Sequence, residues 1–214
     1  MRILIHGCPK RAKYVYEHLI PSLKAQGLED IRVWMDIAHD GNLKSTLNSF
    51  RACGMLDGGT WHLQDDVIIS SDFAEIAQKY DDGLVCGFAN AEWEGDRITR
   101  TGKRPVSHMW FSFQCLRVPN WLAGEFYEWY YTKAVNDPAF AQYINLDGYD
   151  DYFFRKFVTI EHPELAAYNL NPNIVDHIDY LLGGTVIGVR KDGKPHRSAY
   201  WKDEKLIDDL KSIL

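Results

Sequence analysis

Four short apolar runs, separated by stretches with helical spacing, constrain the fold of this 214-residue chain more than any other feature. Ile3-Leu4-Ile5, Ile31-Arg32-Val33-Trp34-Met35, Trp61-His62-Leu63 and Leu84-Val85-Cys86-Gly87-Phe88 read as buried strands. Between them, Ala12, Val15, Tyr16, Leu19, Ile20 and Leu23 fall on one helical face, with Pro21 set to kink or split it. Leu43, Thr46, Leu47 and Phe50 predict a second helix ending near Gly54. Phe73, Ile76, Ala77 and Tyr80 predict a third, with Ser71 or Asp72 as its N-cap. Strand–helix alternation of this kind calls for a parallel sheet covered on both faces.

After residue 90 the pattern changes. Residues 90–107 are polar and read as a long loop, with Arg97, Arg100, Lys103 and Arg104 close together. Met109 to Leu116 reads as an apolar strand, and Trp121, Leu122, Glu125, Phe126, Trp129 and Tyr130 as an aromatic helix. A turn at Asp147-Gly148-Tyr149-Asp150-Asp151 leads into a helix marked by Phe154, Phe157 and Val158. Asn173 to Ile178 and Thr185 to Val189 are strand candidates, and residues 203–213 form a last helix capped by Asp203. There is no internal repeat and no low-complexity linker, so one domain is expected, within the soft prior of about 150 residues per domain.

Composition removes several function classes. Lys and Arg total 24 against 30 Asp and Glu, a net charge of −6, which argues against a general nucleic-acid coat or a membrane-surface binder. No apolar run approaches the roughly 20 residues of a transmembrane helix, and Met1 to Gly7 is read as a strand and turn rather than a leader. Cys8, Cys53, Cys86 and Cys115 are widely spaced, with no metal-binding pattern. They read as reduced core thiols of a cytoplasmic protein. Neither GxGxxG nor GxxxxGK[ST] occurs, which disfavours the nucleotide folds those fingerprints mark.

The strongest local signal is Leu63-Gln64-Asp65-Asp66-Val67, two adjacent carboxylates at the carboxyl end of an expected buried strand. Ligands bind at that end in open α/β sheets. Two neighbouring anions repel and need a cation or donors to hold them. Carboxylate oxygens completed by water suit Mg²⁺ or Mn²⁺ bound together with phosphates. The alternative is a solvated turn. Asp150 and Asp151 at a helix start are explained by capping and the helix dipole, or else one of them is a general base. His177, in Val175-Asp176-His177, is either a hydrogen-bonded core residue or a metal ligand. The aromatic stretch 110–131 reads as packed core ahead of a platform for a sugar or base.

Taken in order, a strand ending near Pro9-Lys10-Arg11, a strand ending in Asp36, Gln64-Asp65-Asp66 after a strand, Gly148-Tyr149-Asp150-Asp151 and Val175-Asp176-His177 form a recognisable series. It resembles the small nucleotide-sugar-dependent glycosyltransferases of the GT-A fold found in phage and bacterial genomes, over about residues 1–190. The resemblance implies a single GT-A-like (Rossmann-like) α/β/α sandwich with a mainly parallel central sheet. Residues 1–90 would be the nucleotide-sugar half, 91–190 the acceptor and catalytic half, and 191–214 a tail and helix. It implies that Asp66 binds the divalent cation, Mn²⁺ or Mg²⁺, as the last residue of a D-x-D motif. Asp65 takes the middle place and Gln64 the first, where an acidic residue is more usual. His177 would complete the metal shell, and Arg11 and Asp36 would lie at the nucleoside. The catalytic carboxylate would be Asp151 or Asp150. Helical spacing leaves the two open, and the family pattern favours Asp151.

The expected activity is therefore hexosyl or pentosyl transfer from a nucleoside-diphosphate sugar, a UDP-sugar first, to an acceptor hydroxyl. That hydroxyl would belong to a glycan or, for a phage-encoded enzyme in the host cytoplasm, to a hydroxymethylated DNA base. No membrane partner is expected. Arg97, Arg100, Lys103 and Arg104 would form an anion-binding loop, mobile without ligand. Alternatives are a nucleotidyltransferase of similar fold, or a catalytically inactive nucleotide-binding domain.

Overall fold

Ile3 and Ile5 enter one hydrophobic cluster and Leu4, between them, enters another. Side chains alternate across a strand, so a strand buried on both sides must lie inside a three-layer sandwich. The computed structural model describes residues 1–89, 100–144, 149–183, 195, 197, 198 and 200–214.

Along the chain run β1 (Arg2–Gly7), a 3₁₀ turn at Pro9–Arg11, α1 (Ala12–Tyr14), a π turn at Val15–Leu19, α2 (Ile20–Ala25) and β2 (Ile31–Met35). Next come α3 (Asn42–Gly54), β3 (Gly59–Gln64), β4 (Val67–Ile69), α4 (Phe73–Lys79) and β5 (Leu84–Cys86). The second half holds β6 (Gly102–Pro105), β7 (Cys115–Pro119), α5 (Asn120–Thr132), α6 (Asp150–Glu161), β8 (Ala166–Asn169), β9 (Val175–His177) and α7 (Glu204–Lys211). Among the described residues, seven strands form one sheet in the order β2-β1-β3-β7-β5-β8-β6, and β4 and β9 form a separate antiparallel ribbon. Strands β2, β1, β3, β5 and β8 point one way, whereas β7 and β6 run against them.

Helices α3, α5 and α6 cover one face and α2, α4 and α7 the other. On the first face, α3 and α5 cross at two glycines. A Cβ on Gly54 would lie 2.5 Å from the Gly124 backbone and force the helices apart, while one on Gly124 would sit 3.2 Å from Gly54, a tight contact. Beneath them the Phe154 ring meets Phe126 at 5.2 Å, Phe111 at 5.4 Å, Phe113 at 5.6 Å and Phe50 at 5.9 Å. Removing such a ring costs about 3–5 kcal/mol, so Phe154 is a main anchor of α6. Most of the aromatic stretch 110–131 is thus core, while Trp121 and Tyr131 are exposed.

The helical passage over 9–25 is not interrupted at Pro21. The wide turn at Val15–Leu19 comes before it and accommodates the missing N–H and the ring's clash with the preceding turn. Part of the expected loop 90–107 is ordered differently: Gly102–Pro105 is the edge strand β6, and Val106–His108 is a 3₁₀ turn. The strand expected over Met109 to Leu116 begins only at Cys115. Asp203 stands at the N-cap position of α7 without capping it. Its carboxylate accepts instead from the Ser71 N–H at 2.9 Å and hydroxyl at 3.1 Å. Arg97, the Asp147-Gly148 part of the turn and the strand candidate 185–189 lie outside the described residues. Among the described residues, no helix is long and apolar enough to cross a membrane.

Candidate functional site

The carboxyl ends of β1 and β3 lie side by side, with His6 opposite Gln64. Gly7 leaves room there for Asp65, since a Cβ on it would sit 2.7 Å from the Asp65 Cβ. The Cys8 backbone N–H donates to Asp65 Oδ2 at 2.7 Å, so the turn after β1 wraps this carboxylate. Asp66 is held by the ribbon that follows. Its carbonyl accepts from the Ile178 N–H at 2.8 Å, and His177 lies opposite Val67. This register brings His177 Nε2 to 3.1 Å from Asp66 Oδ2, joining residues 111 positions apart in sequence.

One guanidinium nitrogen, Arg11 Nη1, donates to Asp65 Oδ1 at 2.8 Å and to Asp66 Oδ2 at 2.5 Å. Burial works against ionising either Asp. For Asp65, burial and the Asp66 charge prevail and raise its pKa. For Asp66, His177 and Arg11 outweigh burial and hold it below the ordinary carboxylate range. Among the described residues, Asp66 Oδ1 is buried without a hydrogen-bond partner, as is Asp179 Oδ2. Asp179 Oδ1 lies 3.6 Å from His177 Nδ1, on the side of the ring away from Asp66. The contact is longer than a hydrogen bond, but it sets a carboxylate behind the imidazole, where closer approach would orient a ligating histidine.

These groups suit a hard or borderline divalent cation: two carboxylates, an imidazole and an unsatisfied buried oxygen. Among the described residues no three acidic, His or Cys side chains already form a cation cage. The gap between Asp65 and Asp66 is bridged by Arg11.

The second acidic pair opens α6. Phe153, Phe154, Phe157 and Val158 pack into the core and roll Asp150 inward, where it is 3% exposed. Thr46 donates its hydroxyl to Asp150 Oδ2 at 2.9 Å, and the Asp151 N–H donates to Asp150 Oδ1 at 3.0 Å. Asp151 is half-buried; Trp110 Nε1–H donates to its Oδ2 at 3.1 Å and the Tyr152 N–H to its Oδ1 at 2.6 Å. The two titrate as a pair. Burial pushes Asp150 up to about 6. Burial and the neighbouring Asp150 charge push Asp151 up to about 7.

His6 links the two pairs. Its Nε2 is 2.7 Å from Ser45 Oγ, and its Nδ1 is 3.4 Å from the Thr46 hydroxyl that serves Asp150. Burial pushes His6 down to about 4 against the pull of Asp36 and Asp66, so it is neutral at pH 7.

Asp36 follows β2 at the same sheet edge, its N–H donating to the Gly7 carbonyl and its Oδ1 accepting from the Asp40 N–H. The structure therefore gathers Arg11, Gln64, Asp65, Asp66 and His177, with Asp36 two strands away. It gives Arg11 two carboxylate partners rather than an open position. The basic segment is not gathered here. Lys103 and Arg104 lie on β6, four strands from β3 and so about 19 Å across the sheet. Lys103 sits over the Tyr168 ring, and Arg100 is exposed. The sequence singles out neither Asp179 nor His6, and it marks Thr46 only as a helix position and Trp110 only as part of the aromatic stretch. Only Asp179, two residues after His177, carried a local hint.

No protein family matches the sequence, and no curated protein matches it. Among solved structures the chain is similar to A197 from STIV, with 18% identity over 83% of this chain and 86% of that one and a TM-score of 0.44. What the fold itself defines is an α/β/α sandwich with a mixed, largely co-directional sheet.

Proposed function

We propose that this protein transfers a glycosyl group from a nucleoside-diphosphate sugar to an acceptor hydroxyl with the help of a divalent cation. The observation that carries the reading is the β4–β9 register, which sets His177 Nε2 3.1 Å from Asp66 Oδ2 at the carboxyl end of β3. Asp66 and His177 would hold Mn²⁺ or Mg²⁺. That ion, when bound, offsets the charge growing on the leaving diphosphate. Asp179 would orient the imidazole. Gln64, Asp65 and Asp36 lie along the strand ends, where they can accept from or donate to donor hydroxyls.

Asp151 is the proposed base. It is the more accessible of its pair, and its carboxylate is oriented by Trp110 and by the Tyr152 N–H. A carboxylate raised to about 7 is matched to taking a proton from a hydroxyl at neutral pH. Asp150, buried on Thr46, raises Asp151 by its charge and holds the start of α6 in place. A melting-temperature screen of nucleotide sugars with and without Mn²⁺ tests the reading, because a ligand that binds only the folded state raises the midpoint. A UDP-sugar is expected to shift it only when Mn²⁺ is present, and to be slowly hydrolysed. No shift and no hydrolysis with any donor contradicts the proposal.

A further inference from the structure

Arg11 occupies an unusual position for a residue expected to hold a nucleoside. Its side chain is 10% exposed, and one nitrogen, Nη1, bridges the two carboxylates that the proposed cation would also need. The charge count around it does not balance. Asp65, Asp66 and Asp179 carry three negative charges when ionised, against one on Arg11 and at most one on His177. Two carboxylate oxygens in the group, Asp66 Oδ1 and Asp179 Oδ2, have no hydrogen-bond partner among the described residues. Burying such charges without full compensation is costly. The guanidinium therefore holds together an acidic site that it only partly neutralises. It reaches the carboxylates from the short 3₁₀ turn Pro9–Arg11, at the end of a long and flexible side chain.

Building on the proposed metal-assisted reading, we propose that Arg11 is the built-in counter-ion of the cation site. It bridges and partly neutralises Asp65 and Asp66 in the unliganded protein and is displaced when a divalent cation binds. The displaced guanidinium is then available to an anionic group entering over the same strand ends, for which its planar donor fork is suited. The cation and the anionic ligand would bind with positive coupling: each releases Arg11 to the other's benefit. Cation alone would bind weakly, because it must first dislodge an internal charge.

The test is calorimetric titration of Mn²⁺ alone into the full chain, with no nucleotide. Arg11→Met keeps the length of the side chain and removes its charge. It is expected to bind Mn²⁺ about tenfold or more tightly than the wild type, since a +1 charge no longer competes. Its melting temperature should fall in chelator and recover more than the wild type's on adding Mn²⁺. Equal or weaker Mn²⁺ affinity in Arg11→Met, with wild-type binding that is lost in Asp66→Ala, overturns the counter-ion proposal and leaves the metal-assisted reading standing. No Mn²⁺ binding in either protein overturns both. A second measurement needs no charge-removing variant. The Arg11 side-chain N–H resonances, assigned as those missing from Arg11→Lys, should exchange slowly with water in the unliganded wild type. They should exchange quickly at saturating Mg²⁺. Unchanged exchange at saturating Mg²⁺ contradicts displacement.

Discussion

Of the four Asp-Asp pairs in the chain, the two at the strand end and at the start of α6 are identical as dipeptides and opposite in setting. Asp65 and Asp66 end a strand, share Arg11, and have an imidazole beside them. Asp150 and Asp151 open a helix, and their hydrogen-bond donors include a hydroxyl, the Asn42 side chain, an indole and backbone N–H groups. Arg11 and the His177 imidazole hold Asp66 below the ordinary carboxylate range, whereas burial raises the α6 pair, Asp150 to about 6 and Asp151 to about 7. Two adjacent carboxylates thus have no fixed meaning. Their neighbours decide whether they attract a cation or exchange a proton.

Changes at α6 should break that division most visibly in turnover. Asp151→Asn is expected to lower turnover by about 10²–10⁴-fold with donor affinity little changed, the pattern of a lost general base. Steady-state kinetics and donor titration check it. If Asp150→Asn is the inactive variant and Asp151→Asn retains turnover, the roles are reversed. In the wild type, turnover should rise with pH through about 6–7 as the pair loses its protons.

At the strand-end pair the expected effects fall on binding. His177→Ala should weaken Mn²⁺-linked donor binding before it touches chemistry. Asp179→Asn should weaken it less, by about 10-fold, the low end for groups that orient a ligand. Calorimetry of UDP with Mn²⁺ reads both, and an Asp179→Asn protein with wild-type affinity would remove the orienting role.

A smaller effect tests the electrostatics of Asp151 without any substrate. Its folded pKa lies above its unfolded value, so the native state binds the extra proton between about pH 4 and 7 and loses stability as pH rises through that window. Asp151→Asn removes this penalty. Its melting temperature should exceed the wild type's at pH 8 by at least about 2–4 °C, the shift that each 1 kcal/mol produces in a chain of this length, and the gap should close toward pH 4. A gap that widens at low pH contradicts the assignment. His6, whose pKa is lowered to about 4, acts in the opposite sense in both proteins, so comparing the two cancels it.

The smallest effect is expected at the basic segment. Neutralising Arg100 and Arg104 should weaken binding of an anionic substrate by no more than a few-fold, and less at high salt, as for solvent-exposed charges. A large loss would mean that this segment reaches the strand-end pair despite its place at the far side of the sheet.

The legible parts of this molecule were those with strong periodicity. The strands at Ile3, Ile31, Trp61 and Leu84 and the helices beginning at Asn42 and Asn120 follow from apolar spacing, because each buries a large, regular face. Strand β8, Ala166-Ala167-Tyr168-Asn169, has little β-branched or alternating character, yet it is paired on both sides. Strand β6 is polar because it lies at the sheet edge. In both, tertiary pairing rather than local preference makes the strand. At the site, the order of acidic residues was readable, but Arg11's partners were not: a bridge between residues 54 and 55 positions apart is set by the fold alone. The choice between Asp150 and Asp151 was open from Phe154, Phe157 and Val158. Phe153, buried at 0% exposure, turns the apolar stripe toward Asp150 and leaves Asp151 facing outward.

The division of labour between the two pairs is tested most directly by titrating UDP into Asp66→Ala and Asp151→Asn, each with and without Mn²⁺. Asp66→Ala should lose the Mn²⁺-dependent part of binding, and Asp151→Asn should keep it within about twofold, since a base acts on the acceptor and not on the donor diphosphate. Unchanged Mn²⁺-dependent affinity in Asp66→Ala, or its loss in Asp151→Asn, would contradict the account.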